Sequence, residues 1–395
     1  MRQAIRRWLP TGLKLAISAV VLFLAALWVE HALPIELPVP TGPFAVSRWS
    51  AAWADEDKKR ELLVWIWYPA AAGQSAALDD YLPAALRAEE DRTSGVLNSK
   101  FLTRDLSRVH AHSLRSADVS PQQRSYPVVI MRAGASAELT NYTTLAEDLA
   151  SHGYVVVGFD APYRTNVVVF PDGRVMTRTP ANNVELCIGQ PEQDTCVNKL
   201  LTAWTAEISF TLDRLERLNA ADSSGKFIGR FDLTRVGVFG HSFGGATAAQ
   251  FCHDDSRCKA AIDLDGQPFG SVIQEGLHQP FLFVLSDEIN SSDPETLRIL
   301  ANIQSIYDRL PQAGRLRILI RGSNHFFFSD DVALLKSHIV LRTLRALGLV
   351  GIEGRRQLAV TTYCVHSFFD AYLKGENISP LKITSPLYPE IQLLP

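Results

Sequence analysis

The sequence has little of what marks a nucleic-acid-binding or metal-binding protein. Its 39 lysines and arginines are balanced by 42 aspartates and glutamates, for a net charge of −3. No block of basic residues interleaved with aromatic residues occurs, which argues against a nucleic-acid partner. The five cysteines do not stand with a second cysteine pair or with histidines at the spacing of a zinc site. The composition therefore predicts no nucleic-acid partner, no metal and no other cofactor.

One apolar run at the N-terminus differs from the rest of the chain. Leu15–Val29 is almost uninterrupted and follows four basic residues, a pattern typical of an export signal or a membrane anchor. Glu30 and His31 stand where a cleavage site would have small residues, which favours an uncleaved anchor over a cleaved signal peptide. The positive flank would keep the N-terminus cytoplasmic and place the remainder in the periplasm or outside the cell.

The rest of the chain divides into a linker and one long domain. Residues 1–32 hold the anchor or signal, the proline-rich residues 33–43 form an extended linker, and residues 44–395 form the globular part. At 395 residues and 47% hydrophobic content, the chain can bury one large core. The sequence indicates no particular oligomeric state.

Four of the cysteines stand in two close pairs. Cys187 and Cys196 bracket one short polar loop, and Cys252 and Cys258 bracket another, while Cys364 is left over. Two local disulfides would agree with an exported domain, and five reduced thiols are the alternative.

A G-x-S-x-G turn follows an apolar strand and predicts a nucleophile. In the run Arg235–Gly245 (RVGVFGHSFGG), Ser242 stands on a turn so tight that only small residues at Gly240 and Gly244 tolerate the close approach. The alanine-rich Phe243–Phe251 then predicts a helix whose first N–H groups face the reacting oxyanion. A harmless serine on a glycine-rich turn is the alternative.

Apolar strands alternate with amphipathic helices from Pro127 onward, which predicts a mainly parallel sheet with helices on both faces. With a strand-turn-helix serine in the middle, this is the α/β-hydrolase fold. The predicted strands are Phe44–Trp49, Leu62–Tyr68, Val128–Met131, Tyr154–Phe159, Lys259–Leu264, Pro280–Leu285 and Leu316–Ile320. The predicted helices are Leu78–Ala88, Thr140–His152, Lys199–Leu218, Phe243–Phe251 and Pro294–Leu310, and helices are expected to close the chain.

A serine nucleophile requires a histidine base and a carboxylate, in the chain order Ser, acid, His in this fold. His325 is the best-placed base because it follows a strand at the carboxyl edge of the sheet, whereas His338 and His366 lie inside helical patterns. Two aspartates remain candidates for the acid that orients this histidine. Asp265 and Asp287 both follow strands between the serine and the histidine, and topology alone favours Asp287.

Five separated motifs resemble the platelet-activating factor acetylhydrolase family, of the plasma and type II kinds, which belongs to the α/β-hydrolases. They are Gly240–Gly245 (GHSFGG), Ile262–Gly266 (IDLDG), Gly322–Phe326 (GSNHF), Trp65–Ala70 (WIWYPA) and Asp148–Tyr154 (DLASHGY). The resemblance implies Ser242 as nucleophile, Asp265 as acid and His325 as base.

The predicted oxyanion hole uses two backbone N–H groups. The fold supplies that of Phe243, and the family resemblance implies Ala135 as the second donor. Ala133 and Ala135 depart from the residues usual in the family. This changes the expected shape of the acyl pocket, but the oxyanion hole is expected to remain because its donors are backbone N–H groups. Asp263 is expected to be a supporting polar group.

A further departure from the family lies in Asp160–Arg164 and Val168–Val175 (VVFPDGRV). This segment either borders the substrate or forms a surface hairpin with a D-G turn.

The sequence thus predicts a serine carboxylic-ester hydrolase, and the resemblance implies short-acyl phospholipid-type or related small esters as substrates. A dienelactone- or cutinase-like hydrolase of small esters or polyesters is the alternative enzyme. A membrane-tethered binding protein without catalysis is the alternative of another class.

Overall fold

A computed structural model describes residues 2–55, 57, 59–73, 76–287, 293–375 and 383–395. The predicted turn 55–60 lies partly outside these residues. The helices are α1 (Arg2–His31), α2 (Ala84–Leu97), α3 (Thr143–Ser151), α4 (Gln193–Ala220), α5 (Phe243–Asp254), α6 (Val272–Glu275), α7 (Pro294–Arg309), α8 (His338–Ala346) and α9 (Gly354–Leu373). The strands are β1 (Ile35–Glu36), β2 (Val46–Ala54), β3 (Glu61–Pro69), β4 (Leu78–Asp80), β5 (Val109–Arg115), β6 (Tyr126–Arg132), β7 (Val155–Asp160), β8 (Val167–Val169), β9 (Val175–Thr177), β10 (Phe231–His241), β11 (Cys258–Leu264), β12 (Phe281–Ser286), β13 (Arg315–Ile320) and β14 (Ile391–Leu393).

In the described part of the chain, twelve strands form one sheet. Its order is β1-β5-β2-β3-β7-β6-β10-β11-β12-β13-β14, with β4 on β5. The six strands from β7 to β13 are parallel neighbours, while β2, β3 and β14 add antiparallel pairs. These six strands are nearly continuous apolar runs because both faces of the sheet are covered.

The two largest of four core clusters lie on the two faces of the sheet. Ile208 of α4 and Phe251 of α5 belong to the first cluster, and Leu145 of α3 and Val365 of α9 belong to the second. The predicted α/β-hydrolase fold, a mainly parallel sheet with helices on both faces, is confirmed.

Two predictions of secondary structure were wrong. The helix predicted over Leu78–Ala88 is instead strand β4 followed by α2, which begins only after Pro83. A proline disfavours helical backbone in the residue before it, so one helix does not run across this position. The chain also closes on β14, which pairs antiparallel with β13, rather than on helices alone.

The two predicted disulfides are present. Cys187 pairs with Cys196, and Cys252 pairs with Cys258, joining the end of α5 to the start of β11. Cys364 is buried as a free thiol, and burial raises its pKa.

The N-terminal helix is long and apolar enough to cross a membrane. The segment Gly12–His31 has a mean hydropathy of 2.2, and 6% of it is buried against the rest of the protein. Residues 33–43, which the sequence predicts to be a linker, contain β1 and pack on the rest of the chain. The N–H of Thr41 donates to Asp148 of α3 at 2.8 Å, and the N–H of Gly42 donates to the Ser151 hydroxyl at 2.9 Å.

Candidate active site

Ser242 stands on a strained turn between β10 and α5. Its φ of 56° and ψ of −125° lie in a region that residues with side chains rarely adopt. The two motif glycines make this turn possible by close approach. A Cβ on Gly240 would lie 2.3 Å from the carbonyl oxygen of Gly244, and one on Gly244 would lie 2.4 Å from that of Ala133. The G-x-S-x-G spacing is therefore a steric requirement of this turn.

Asp265 and His325 are in direct contact. His325 Nδ1 lies 2.7 Å from Asp265 Oδ2, and the other oxygen of Asp265 accepts a hydrogen bond from the N–H of Ser286 at 2.7 Å. Burial acts to raise the pKa of Asp265, but the hydrogen bonds and charge of His325, together with Ser286, hold it below the usual range. The carboxylate is therefore ionised and oriented toward the imidazole.

Asp287, the second candidate acid, contacts the loop that leads to His325. Its Oδ2 accepts a hydrogen bond from the N–H of Gly322 at 2.7 Å, and its own N–H donates to the Ser323 hydroxyl at 3.2 Å. These contacts fix the loop after β13 on the end of β12.

His241, beside the serine, connects two loops of the site. Its Nε2 lies 2.9 Å from the carbonyl oxygen of His325, and its Nδ1 lies 2.8 Å from the hydroxyl of Tyr142. Burial and the neighbouring His325 lower the pKa of His241 to about 3, so the ring is neutral. The carbonyl acceptor then assigns the ring proton to Nε2, and the Tyr142 hydroxyl donates to Nδ1.

Tyr142 was not predicted as part of the site. Its hydroxyl also accepts a hydrogen bond from the N–H of Gly134 at 3.2 Å, so it joins the loop after β6 to His241. The sequence contains no local signal for this role, because Tyr142 lies in a helical segment and meets His241 only through the fold.

A cavity of about 420 Å³ opens at the carboxyl edge of the sheet and is lined by Ser242, His325, Phe243 and Ala135. In the described part of the chain, no backbone carbonyl accepts a hydrogen bond from the N–H of Phe243 or Ala135. Phe243 is the first residue of α5, where the helix dipole favours negative charge. Four of the five residues that the sequence predicts for the site line this cavity, and the fifth, Asp265, contacts His325.

One wall of the cavity is apolar. Val184, Phe243 and Phe269 belong to one buried cluster that also packs on Ala135, and Ile188 lies on the same wall. The Cys187–Cys196 disulfide closes the loop that carries Ile188 of this wall.

The segment that departs from the family forms a hairpin. Strands β8 and β9 pair antiparallel around the predicted D-G turn. Asp160, before the hairpin, accepts hydrogen bonds from Trp65 Nε1 and from the N–H of Leu139, both at 2.8 Å. Asn166 from the same segment lines the cavity, so the hairpin also borders the site.

Asp263 is a buried carboxyl group beneath the serine turn. Its Oδ1 accepts a hydrogen bond from the N–H of Gly266 at 2.7 Å, and its Oδ2 is buried without a partner. Burial raises its pKa to about 8, so the group is mostly protonated at neutral pH.

One group of residues has the side chains of a metal site. Asp148, His152 and His366 have ligand atoms within 4.8 Å of one another, near the linker. Their present contacts do not suit an ion. The two rings are stacked with centroids 4.1 Å apart, so their in-plane lone pairs do not converge on one point. Asp148 already accepts hydrogen bonds from Thr41 and contacts His366 at 2.9 Å.

The family model for platelet-activating factor acetylhydrolase, isoform II, matches residues 33–377. The chain belongs to this family. A protein of Arthroderma benhamiae, named as a probable 1-alkyl-2-acetylglycerophosphocholine esterase, is 26% identical over 387 residues, covering 91% of this chain and 93% of that protein. The platelet-activating factor acetylhydrolase of Cavia porcellus is 25% identical over 218 residues, covering 52% of this chain. The chain spans about half the length of that relative, 48%.

A solved structure agrees with the family. A ferulic acid esterase from Streptomyces cinnamoneus is 28% identical and matches with a TM-score of 0.71, covering 92% of this chain and 100% of that one. This chain is therefore a serine carboxylic-ester hydrolase of the α/β-hydrolase fold.

Proposed function

We propose that Ser242, Asp265 and His325 form the catalytic triad of this hydrolase. The observation that carries the proposal is the 2.7 Å contact between His325 Nδ1 and the ionised Asp265, in a cavity that also holds Ser242 on its strained turn. Asp265 fixes the imidazole with Nδ1 protonated, which leaves Nε2 as the base. His241 supports this arrangement by binding the carbonyl oxygen of His325.

In the first half of the reaction, His325 takes the proton of the Ser242 hydroxyl as the oxygen attacks the ester carbonyl. The tetrahedral oxyanion accepts hydrogen bonds from the N–H groups of Phe243 and Ala135. Collapse of this intermediate releases the alcohol, which receives the proton from His325, and leaves an acyl-enzyme. Water, activated by His325, then hydrolyses the acyl-enzyme and regenerates Ser242.

The proposed substrates are short-acyl esters of phospholipid type or related small esters. The names of the fungal and mammalian relatives support an acetyl ester of a glycerophospholipid. The apolar wall of Val184, Phe243 and Phe269 supports a short acyl group, because it lies beside Ser242 in a cavity of limited volume. A hydroxycinnamoyl ester is the second candidate, on the similarity to the ferulic acid esterase.

The proposed location is at a membrane, with residues 1–32 as an uncleaved anchor, 33–43 as linker and 44–395 as the catalytic domain outside the cytoplasm. The exposed apolar surface of α1 supports an anchor. Its last turn is held on the domain by Glu30, which accepts hydrogen bonds from the Ser337 hydroxyl and from the N–H of His338 at 2.8 Å. This contact would hold the catalytic domain close to lipid.

A panel of esters tests the substrate proposal. The purified full chain is assayed with p-nitrophenyl acetate, short- and long-acyl phosphatidylcholines, and methyl ferulate, with Ser242→Ala as the control. We expect hydrolysis of short-acyl phospholipid to exceed that of long-acyl phospholipid and of methyl ferulate. A preference for methyl ferulate or another simple ester over every phospholipid would refute the phospholipid assignment, and a Ser242→Ala variant with wild-type activity would refute the triad.

A further inference from the structure

The cavity beside the proposed triad adjoins a second cavity of about 230 Å³. The two cavities share four lining residues, Glu138, Asn141, Asn166 and Asp331, and Glu90 also lines the second. We call these five residues the acidic arm, because three are carboxylic acids and two are amides. A substrate held at the triad can therefore extend into the acidic arm.

The acidic arm has more carboxyl groups than paired cations. Asp331 is neutralised by Lys336, whose Nζ lies 3.0 Å from Oδ1 of the carboxylate. Arg104 also lines the second cavity, but its guanidinium is paired with the last turn of α1. Among the described residues, no ion pair neutralises Glu90 or Glu138. Glu90 and Glu138 thus form no ion pair, although the charge of Lys336 also acts on Glu90.

Glu138 is buried, with 6% of its surface exposed, and is incompletely hydrogen-bonded. Its Oε2 accepts a hydrogen bond from Asn141 Nδ2 at 3.1 Å, while its Oε1 is buried and has no hydrogen-bond partner. Glu90 Oε1 is likewise buried without a partner. Buried carboxyl oxygens without partners are unfavourable, so a cationic group placed between these two side chains would be stabilised.

The raised pKa values of Glu90 and Glu138 agree with the lack of an ion pair at either carboxyl group. The pKa of Glu90 is raised to about 9, mainly by burial and secondly by the charge of Glu138. Burial, and then the charge of Asp160, raises the pKa of Glu138 to about 7, although the Asn166 side chain acts to lower it. A bound cation would favour the ionised form of both carboxyl groups.

We infer that the acidic arm is a subsite for a cationic group on the alcohol part of the ester. The inference rests on the proposed function, which places the ester carbonyl at Ser242. The apolar wall of Val184, Phe243 and Phe269 suits the acyl part, which leaves the polar arm for the alcohol. An ammonium group in the arm would contact Glu138 and Glu90 without any covalent step.

The shape of the arm favours an ammonium group of the substrate over a free metal ion. The cavity of about 230 Å³ is much larger than a bare ion requires, and it shares four lining residues with the catalytic cavity. Carboxylate and amide oxygens also bind Ca²⁺, so the experiment must separate these two sources of positive charge.

Two isosteric esters test the inference, acetylcholine and 3,3-dimethylbutyl acetate, which differ in a positively charged nitrogen against a neutral carbon. For the full chain we expect kcat/KM to be at least about tenfold higher for acetylcholine, as charge-assisted contacts are stronger than neutral ones. Glu138→Gln and Glu90→Gln should each bring the ratio of the two kcat/KM values toward unity. Equal kcat/KM values in the wild type would overturn the inference.

Glu89→Gln is the matched control, because Glu89 lies beside Glu90 on α2 and forms an ion pair with Arg92 on the surface. It should keep the wild-type ratio. The assays are repeated with EDTA and with added CaCl₂. A ratio that survives EDTA supports an ammonium site, whereas a ratio that vanishes in EDTA and returns with Ca²⁺ overturns the inference in favour of a metal site.

Calorimetric titration with choline chloride makes the test independent of hydrolysis. We expect choline to bind the wild type and Glu89→Gln equally, and to bind Glu138→Gln at least about tenfold more weakly. If neither ester is hydrolysed while choline still binds through Glu138, the proposed function fails and the cation site stands. If the esters are hydrolysed and choline does not bind the wild type, the cation site fails alone.

Discussion

At the scale of single residues, the site depends on polar groups whose charge is set by burial and by their neighbours. Asp265 is kept ionised by His325 and Ser286, while Asp263, two residues earlier on the chain, is kept protonated by burial. His241 is kept neutral by burial. Spacing in the sequence predicts which residue types come together, but these protonation states depend on packing, which the sequence does not display.

The choice between the two candidate acids is tested by amide substitution. We expect Asp265→Asn to lower kcat for p-nitrophenyl acetate by about 10³- to 10⁴-fold, because an amide no longer holds the imidazole in the reactive tautomer. Asp287→Asn should lower kcat by less than about tenfold, because the Asp287 carboxylate binds the loop at Gly322 rather than the imidazole of His325. The reverse order of effects would assign Asp287 as the acid.

The protonated state of Asp263 predicts a dependence of stability on pH. Its folded pKa of about 8 lies above its ordinary value of 3.8, so the unfolded chain loses this proton first as the pH rises. The contribution of Asp263 to stability is therefore complete at acidic pH and declines between about pH 4 and pH 8. Asp263→Asn, which cannot ionise, should melt a few degrees above the wild type at pH 8, with the gap narrowing toward pH 4.5.

Thermal unfolding of both proteins at the two pH values checks this. Asp57→Asn, at an exposed carboxyl group, is the control and should leave the melting temperature unchanged at both. A variant that melts at or below the wild type at pH 8 would show that Asp263 is ionised in the folded protein.

At the scale of elements, continuous apolar runs made the central strands and their helices predictable. β6, β7, β10, β11, β12 and β13 all fall on predicted strands because buried parallel strands leave a strong sequence signal. The start of α2 after Pro83 and the edge strand β14 were missed, since a three-residue edge strand has no periodicity of its own. The contact of Tyr142 with His241 was missed because it joins residues 99 positions apart.

The two disulfides belong to different elements and should have different effects when removed. The Cys187–Cys196 bond closes the loop that carries Ile188 of the apolar wall, whereas Cys252–Cys258 joins α5 to β11. We expect the double variant Cys187→Ala/Cys196→Ala to raise KM severalfold. The double variant Cys252→Ala/Cys258→Ala should mainly reduce stability, by about 2 kcal/mol.

Steady-state kinetics and urea unfolding of both double variants separate these effects, each variant acting as control for the other. Two outcomes would contradict the assignment of the first loop to the substrate wall: a rise in KM of the same size in both double variants, or no rise in KM in either.

At the scale of the whole molecule, the apolar N-terminal helix, the linker and the catalytic domain form connected parts. The linker is fixed by Thr41 on Asp148, and the last turn of α1 is fixed by Glu30 on the start of α8. The second cavity, which the acidic arm lines, extends toward the same end of α1, since Arg104 also lines this cavity and pairs with Glu30. The chain thus connects its apolar N-terminal helix with the approach to the proposed triad.

The central claim is that Ser242 is the nucleophile, and covalent labelling tests it most directly. The full chain is incubated with a fluorophosphonate probe, and the adduct is located by mass spectrometry of the intact protein and its peptides. We expect one adduct per chain, on Ser242, formed at least about 10³-fold more slowly in Asp265→Asn and not at all in Ser242→Ala. An adduct on another serine, or equal labelling of wild type and Ser242→Ala, would contradict the account.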